Sequence, residues 1–392
     1  MAQDIIDMVM GFDPAEALNG SAFSNETTGN FNQNIYKTNP AGKGVVLASE
    51  DGHYHAKVRV LMNPHDFNKN IVHQAKYSMN DERGYFSAIS SLSNGDKNCP
   101  IFKGFKRLRY ARIPGPDGTL IEDTEKVNWA KEHFDKTESD WVLVQIIEDE
   151  NYPDLVGQFK AMKLPKAIMN RLQAKMKPTD PTKPKQPLMD YLFGPVLELD
   201  VVPGPDDPTN PGRRSREVNY DLCDFATDPT PIINVDGTPF FSDEEIELIE
   251  EYNNYNNDFN KANSDMLKAK TEGLKTKAEA KRTEAENKKA ALRDQIRPLY
   301  GKAIEYVKAN AINIVEECGY TPWSVDLSIR VNNWLDKVLA MQDPAVQTIN
   351  ENGSAAKQED AGKHQPAATV ASAPAVTAPF SAEAPAGDDL PF

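Results

Sequence analysis

The sequence predicts an α+β chain: a small β-barrel with large insertions, then a long-helix and helical-bundle region, then a disordered C-terminal tail. Three observations carry this. Between residues 54 and 202, short apolar runs with period two alternate with long polar loops. At Ser242 the pattern changes abruptly to helical spacing, and no proline follows until Pro298. From residue 343 onward, thirteen alanines and six prolines accompany a single aromatic before the last residue, a composition that cannot bury a core. At 392 residues the chain exceeds one ordinary domain. The expected divisions are 1–50, a flexible arm; 51–241, the β core; 242–342, a separate helical module; and 343–392, the tail.

Residues 1–50 are rich in Asn, Gly, Ser and Thr, with a short helix expected from Ile5 to Met10 and punctuation at Pro14 and Gly20. In Tyr54–Met62, Ala56, Val58, Val60 and Met62 face one way, and His55, Lys57, Arg59 and Leu61 the other. That pattern is a half-buried strand with a basic outer face. Ile71–Met79 and Gly84–Ile89 are further strands. Pro100 opens a helix with Ile101, Phe105 and Leu108 on one face and Lys103, Arg107 and Tyr110 on another. A Pro-Gly-Pro-Asp-Gly turn leads to a short acidic helix around Trp129 and Phe134. Trp141–Glu148, almost wholly apolar and β-favouring, is the central strand. Val156–Met162 follows, then a helix from Pro165 with Ile168, Met169, Leu172 and Met176 inward, a Pro/Lys loop at Pro178–Pro187 and a last strand at Val196–Val202. Residues 203–240, with seven prolines, wrap back as irregular chain.

Ser242 and Glu245 form a capping box. The proline-free stretch behind it allows one helix of up to ~55 residues, about 80 Å long. Ile246, Ile249, Tyr252, Tyr255 and Phe259 anchor its first turns, whereas residues 262–291 thin to Met266, Leu267, Leu274 and alanines among Lys and Glu. The latter stretch is a solvated helix or a weak coiled coil. Helices from Leu299 to Cys318, stopped by Gly319, and from Val325 to Met341 close a small bundle through Ile314, Val315, Val331, Trp334, Leu335 and Val338.

Net charge is −15 and mean hydropathy −0.59, which argues superficially against a polyanionic partner. The distribution argues otherwise. Residues 53–112 carry eleven Lys/Arg against four Asp/Glu, and residues 156–189 carry eight against one. Two basic blocks between acidic ones fold naturally into a single positive groove. No run of ~18 apolar residues offers a membrane span, and the N-terminal residues lack the features of a secretory signal. Cys99, Cys223 and Cys318 are too few and too dispersed for a disulfide scaffold, which fits a cytoplasmic protein. There is no Walker-type loop, no Gly-x-Ser-x-Gly and no His-Glu-x-x-His, so no enzyme and no cofactor are expected. Asp51, His53 and His55, with His65 and Asp66 nearby, permit metal or His-carboxylate readings, but surface or phosphate-contacting histidines are expected.

Bases and aromatics are interleaved. The first block offers Lys57, Arg59, Lys76, Tyr77, Arg83, Tyr85, Phe86, Lys103, Lys106, Arg107, Arg109, Tyr110 and Arg112; the second offers Phe159, Lys160, Lys163, Lys166 and Tyr191. Cations tracking phosphates and flat rings stacking unpaired bases are what single-stranded nucleic acid requires, and no helix-turn-helix for duplex reading is evident. The chain ends in Asp388-Asp389-Leu390-Pro391-Phe392 behind a Pro/Ala spacer, a portable ligand for a basic-rimmed apolar pocket of a partner.

That ending resembles the acidic tip of bacterial single-stranded DNA-binding proteins. Separately, residues 54–235 resemble the core of the T-even phage single-stranded DNA-binding proteins. The similar stretches are Ala56-Lys57-Val58-Arg59-Val60-Leu61, Asn98-Cys99-Pro100-Ile101, Trp141-Val142-Leu143-Val144 with Asp149, Val156-Gly157-Gln158-Phe159-Lys160, Lys166-Ala167-Ile168 and Val196–Val202. The resemblance implies an OB-fold core that coats single-stranded DNA during replication, recombination and repair, and a tip that recruits partner proteins. It also implies zinc held by one histidine and three cysteines. Here Cys99-Pro100-Ile101 is followed by Phe102, and Ser90 or Ser91 stands where a cysteine is expected, so His73 and Cys99 cannot complete a site and no metal is expected. The family's basic N-terminal self-association motif is missing as well. The alternative reading is a structural or scaffolding protein with a long helical oligomerisation region and a β protein-binding module.

Overall fold

The strand expected to be central is the spine of the molecule. The computed structural model describes residues 33–37, 46–205, 208 and 218–340; the Ile5–Met10 helix, the tail and the tip at Asp388–Phe392 lie outside the described residues. In chain order the elements are β1 (Ile35–Tyr36), β2 (Tyr54–Leu61), β3 (Ile71–Asp81), β4 (Gly84–Ile89), α1 (Pro100–Arg109), β5 (Arg112–Pro114), β6 (Leu120–Glu122), α2 (Thr124–His133), β7 (Phe134–Asp149), β8 (Phe159–Leu164), α3 (Lys166–Met176), β9 (Pro195–Val201), β10 (Asp224–Pro229), α4 (Asp243–Lys268), α5 (Glu272–Asn310), α6 (Ile314–Cys318) and α7 (Val325–Ala340).

One edge of β7 pairs with β8 over Asp140–Gln145. The other edge carries two strands end to end, β2 opposite Leu143–Asp149 and β3 opposite Phe134–Val142, both antiparallel. Leu61 faces Leu143 and Ile71 faces Val142, so β2 and β3 form one line from which residues 62–70 are looped out. Backbone groups in that loop need partners away from the ladder, and two buried asparagines supply them. Asn63 N–H donates to Asn70 Oδ1 at 2.8 Å, Asn70 Nδ2 to the Phe67 carbonyl at 2.7 Å and Asn63 Nδ2 to the Lys69 carbonyl at 3.3 Å.

The sheet is open. Its order is β1-β8-β7-β2-β9-β10, with β4 on β3, and among the described residues no pairing joins β1 to β10. Closure of the expected barrel is not seen among the described residues, and short strands lie at the two edges. β10 slips register between Phe225 and Pro229, and β1 lies parallel on β8. The arm therefore contributes to the sheet at Ile35–Tyr36. The Tyr36 and Tyr54 hydroxyls both donate to the buried Asp149 carboxylate at 2.6 Å, which fastens β1 to the end of β7.

Around Val58–Leu61 and Val142–Ile146 both faces of the sheet are covered. Val58, Val60 and Val144 on one face, and Leu61, Leu143 and Phe159 on the other, belong to one buried cluster with Ile168, Leu172 and Met176 of α3 and Ile249, Ile296, Leu299, Val307 and Ile314 of α4–α6. Residues 242–318 thus complete the sheet's core, and the division expected at 241 cuts through it. The apolar anchors of α4 and α5 need an apolar surface to cover, and the sheet provides it. A second cluster unites Tyr77, Met79 and Ala88 of the β3–β4 hairpin with Cys99, Ile101 and Leu108, Ala130, Phe134, and Val331, Trp334, Leu335 and Val338 of α7. A methyl added at Gly104 would sit 3.0 Å from Leu335 Cδ2, so α1 and α7 approach through the missing side chain.

The capping box forms as expected, with Glu245 N–H donating to Ser242 Oγ at 3.3 Å and Ser242 N–H to the Glu245 carboxylate at 2.9 Å. The single long helix does not. The chain turns at Ala269–Thr271, where Thr271 recaps α5, and α5 returns antiparallel, joining Glu245 to Lys302, Asn256 to Lys289 and Met266 to Arg282. Folding back places the Lys289 ammonium over the Tyr252 and Phe259 rings at 5.6 and 5.1 Å. α5 also continues through Pro298 to Asn310; the lost backbone bond is offset by burial of Ile296, Leu299 and Tyr300.

α7 is fastened by Arg330. Its Nε and Nη2 donate to the two Asp81 oxygens at 2.7 Å each, Nη2 also to the Gly84 carbonyl at 2.9 Å, and the guanidinium lies 4.1 Å from the Phe86 ring centre. These bonds hold the Asp81 carboxyl down at about 2. A depressed carboxyl pKa contributes stability that is present above the unfolded value of ~4 and lost as pH falls through the folded one. Asp81→Asn should therefore be less stable than the parent by about 1–2 kcal/mol at pH 6, with the gap closing between about pH 4 and pH 2. Denaturant titrations followed by tryptophan fluorescence would measure it, and a pH-independent gap would contradict the pairing.

Candidate nucleic-acid interface

Four of the expected binding residues belong to the core. Arg59 is fully buried: β2 is paired on both edges, and its supposedly outer face is covered by residues 188–194 and α5. Its Nη2 donates to the Asp190 carbonyl, while Nε and Nη1 have no hydrogen-bond partner. Burial pulls the guanidinium down to about 10. The Asp190 carboxylate accepts from the Leu192 and Phe193 N–H groups at 2.8 and 2.9 Å and from the Tyr300 hydroxyl at 2.8 Å. Gly194 permits this close packing, since a Cβ there would lie 2.8 Å from Arg59 Nη2 and 2.7 Å from the Asp190 carbonyl. Tyr191, also fully buried, donates to the Met62 carbonyl at 2.9 Å. Phe159 packs edge-on to Tyr306, and Tyr77 lies between Phe105 and Phe134. Phe86 is half-buried and its ring is covered by Arg330. None of these five can stack a base.

Apart from Lys57, the remaining residues of the first block sit on one lobe, built around the second core cluster. From Ala75 onward β3 alternates, with Ala75, Tyr77 and Met79 buried and Lys76, Ser78 and Asn80 half-buried. Across the ladder Asn80 faces Tyr85, Ser78 faces Ser87 and Asp135, and Lys76 faces Thr137. One sheet face therefore presents Lys76, Asn80, Asp135, three small hydroxyl residues and Tyr85, which is 76% exposed. Loss of water pulls the Lys76 ammonium below its ordinary value with no charged neighbour contributing. An ammonium in that state gains more from an arriving anion than a fully solvated one does. Arg83 is exposed at the adjoining turn.

α1 covers the opposite face of the hairpin. It buries Ile101, Gly104 and Leu108 and leaves Lys103, Lys106 and Arg107 exposed, Arg109 half-buried and Tyr110 68% exposed, with Arg112 following. Three of these bases also oppose the helix dipole at the last turn. Sequence reasoning missed the β5–β6 arm beside them, where Ile113, Leu120 and Ile121 are all exposed; the Pro-Gly-Pro-Asp-Gly turn was its signal.

The second block does not join this surface. Lys160 and Lys163 lie on β8, across β7 from β3. Lys160 is half-buried, donates to the Gln33 carbonyl at 2.7 Å and is held below its ordinary value by lost hydration. Lys163 and Lys166 are exposed. Lys57 pairs with Glu148 at 2.6 Å and is raised by it. The single groove expected from two blocks is, in the described residues, one two-sided basic lobe and a separate set of lysines.

The zinc set implied by the resemblance does not fit. Cys99 is fully buried among apolar side chains, where its Sγ accepts from Ser90 Oγ at 2.9 Å, and Phe102 packs against the same cluster. His73 instead pairs with Asp140 at 2.9 Å. Among the described residues no ligand grouping includes Cys99.

The burial pattern is tested by stability. Tyr77→Ala and Tyr191→Ala should each cost about 3–5 kcal/mol, whereas Tyr85→Ala should stay within about 0.5 kcal/mol of the parent; urea titrations distinguish them. No protein-family model and no curated protein matches the chain.

Proposed function

We propose that the protein binds single-stranded DNA through the β3–β4/α1 lobe and coats strands exposed in replication, recombination and repair. The observation that carries the reading is the exposed Tyr85 ring on the same sheet face as the desolvated Lys76, with Arg83 at the adjoining turn and the basic face of α1 behind. A flat exposed ring beside cations serves a strand whose bases are unstacked. Residues 81–112 carry seven bases against three acids, and two of those acids are already paired, Asp81 with Arg330 and Glu82 with Lys337. The lobe is therefore more positive than the chain average.

The OB-type reading of the strands belongs to the same proposal, with β2, β3, β7, β8 and β9 as its strands. So does a binding role without catalysis, acting in the cytoplasm of a host cell, with the Asp388–Phe392 tip as the tag that recruits replication and repair proteins. No helix among the described residues is long and apolar enough to cross a membrane. The scaffold alternative draws support from the far end of the α4–α5 hairpin, where Leu267 and Leu274 are 51% and 56% exposed; self-association that is lost in Leu267→Lys would favour it.

Fluorescence anisotropy with oligo(dT) and matched duplex tests the proposal. Four to six phosphate contacts give a slope of log K against log[salt] of about −3 to −4, at ~0.7 per phosphate. Tyr85→Ala should weaken oligo(dT) binding by about 1–3 kcal/mol. Equal affinity for duplex, or an affinity insensitive to salt, would overturn the reading.

A further inference from the structure

A set of metal-type donors sits away from the lobe, where β2 begins against β9. His53 and His55 are two residues apart on extended chain, a spacing that turns both rings to one side. Asp51 comes two residues earlier, and Asp200 reaches in from β9, directly opposite His55. The local chain is arranged to present them. The turn at Gly52, with φ of +76°, lets the His53 backbone N–H donate to Asp51 Oδ1 at 2.8 Å. The other carboxylate oxygen, Oδ2, is thereby left facing the imidazoles, 2.9 Å from His55 Nε2 and 3.7 Å from His53 Nδ1. On its far side His53 Nδ1 lies 2.7 Å from Asp200 Oδ1.

We infer that Asp51, His53, His55 and Asp200 form a binding site for a first-row divalent transition ion of the zinc class. The donor atoms of Asp51, His53 and His55 all lie within 4.8 Å of one another. A tetrahedral shell with bonds of ~2.0–2.2 Å spaces its donors about 3.3–3.6 Å apart, and the observed separations fall on both sides of that range. Two imidazoles with two carboxylates suit zinc, cobalt or nickel, whereas calcium and magnesium take oxygen donors. The charge argues in the same direction. Asp51 and Asp200 both face the rings, and the Glu150 backbone N–H reaches the His55 carbonyl at 3.4 Å, bringing a third acid alongside. Acids placed around two imidazoles favour a cation over an anion here. The side chains are 26–52% exposed, so an ion can enter from solvent. A bound ion would tie the residue 49–53 turn to β2 and β9 and stabilise the fold by mass action.

The test uses untagged full-length protein stripped with a chelator and titrated with Co²⁺ by absorption and with Zn²⁺ by calorimetry, without DNA. The expected result is one equivalent bound, with the visible bands of tetrahedral Co²⁺, and a melting temperature that rises with Zn²⁺ but not with Mg²⁺. His53→Ala and His55→Ala should each weaken binding by at least ~10–100-fold. Asp200→Asn should weaken it with less risk to folding, and metal-free melts of each variant separate lost ligation from lost structure. An absence of tetrahedral bands, or binding unchanged in the His53→Ala/His55→Ala double variant when that variant is folded, would overturn the inference. Either outcome leaves the DNA-binding proposal untouched, because no nucleic acid enters the measurement.

Discussion

A strand paired on both edges and covered on both faces has no free surface, and over Val142–Ile146 β7 is such a strand. β8 and β2 take its edges, while α3 and the α4–α6 helices share the core that buries Val142 to Ile146. A side chain at this depth must be apolar or hydrogen-bonded. Gln145 meets the demand by donating to the Gly157 and Ile233 carbonyls and accepting from Ile233 N–H. Arg59 meets it only in part, through the Asp190 carbonyl. Along the N-terminal half of β7, where β3 and β4 continue the sheet, one face remains polar and accessible, and there Lys76 and Tyr85 lie.

Two kinds of charge coexist on this acidic molecule. Some bases are committed to structure: Arg330 to Asp81, Lys302 to Glu245 and Lys57 to Glu148. Others, on the outer face of α1 and at Arg83, are exposed. The distinction matters because a committed base must give up its carboxylate before it can meet a phosphate, whereas an uncommitted one releases only counterions. The β2–β9 end, with Asp51, Asp200 and Glu150, has the opposite character and favours cations. The protein thus presents surfaces of opposite sign at two ends of one sheet.

Much of the secondary structure was legible because it follows from periodicity. The strands read at 54–62, 71–79, 84–89 and 196–202 appear at 54–61, 71–81, 84–89 and 195–201, and the inward face of α3, the Pro100 start of α1 and the capping box at Ser242 appear as read. What failed was tertiary. Period two at Arg59 distinguishes two faces but cannot say that both are covered, so Arg59, Tyr77, Phe159 and Tyr191 read as surface candidates and proved to be core. The α4–α5 turn occupies Ala269–Thr271 without proline or glycine, and it is fixed by contacts such as Lys289 with Tyr252 that are distant in sequence. The mirror case is Pro298, a helix breaker by local rules that core packing overrides. The exposed residues of the interface were legible as a set, but their division between two faces of a hairpin depends on register, which the sequence leaves open.

The central claim of the proposal is that contact with single-stranded DNA is confined to the β3–β4/α1 lobe while the buried aromatics of both clusters stay inaccessible. Photocrosslinking full-length protein to oligo(dT), followed by mass spectrometry of the adducts, tests it most directly. The account predicts adducts on peptides carrying Tyr85 and Tyr110 and none at Tyr77, Phe159 or Tyr191. Adducts concentrated at Phe159 or Tyr191, with the protein still folded, would contradict it.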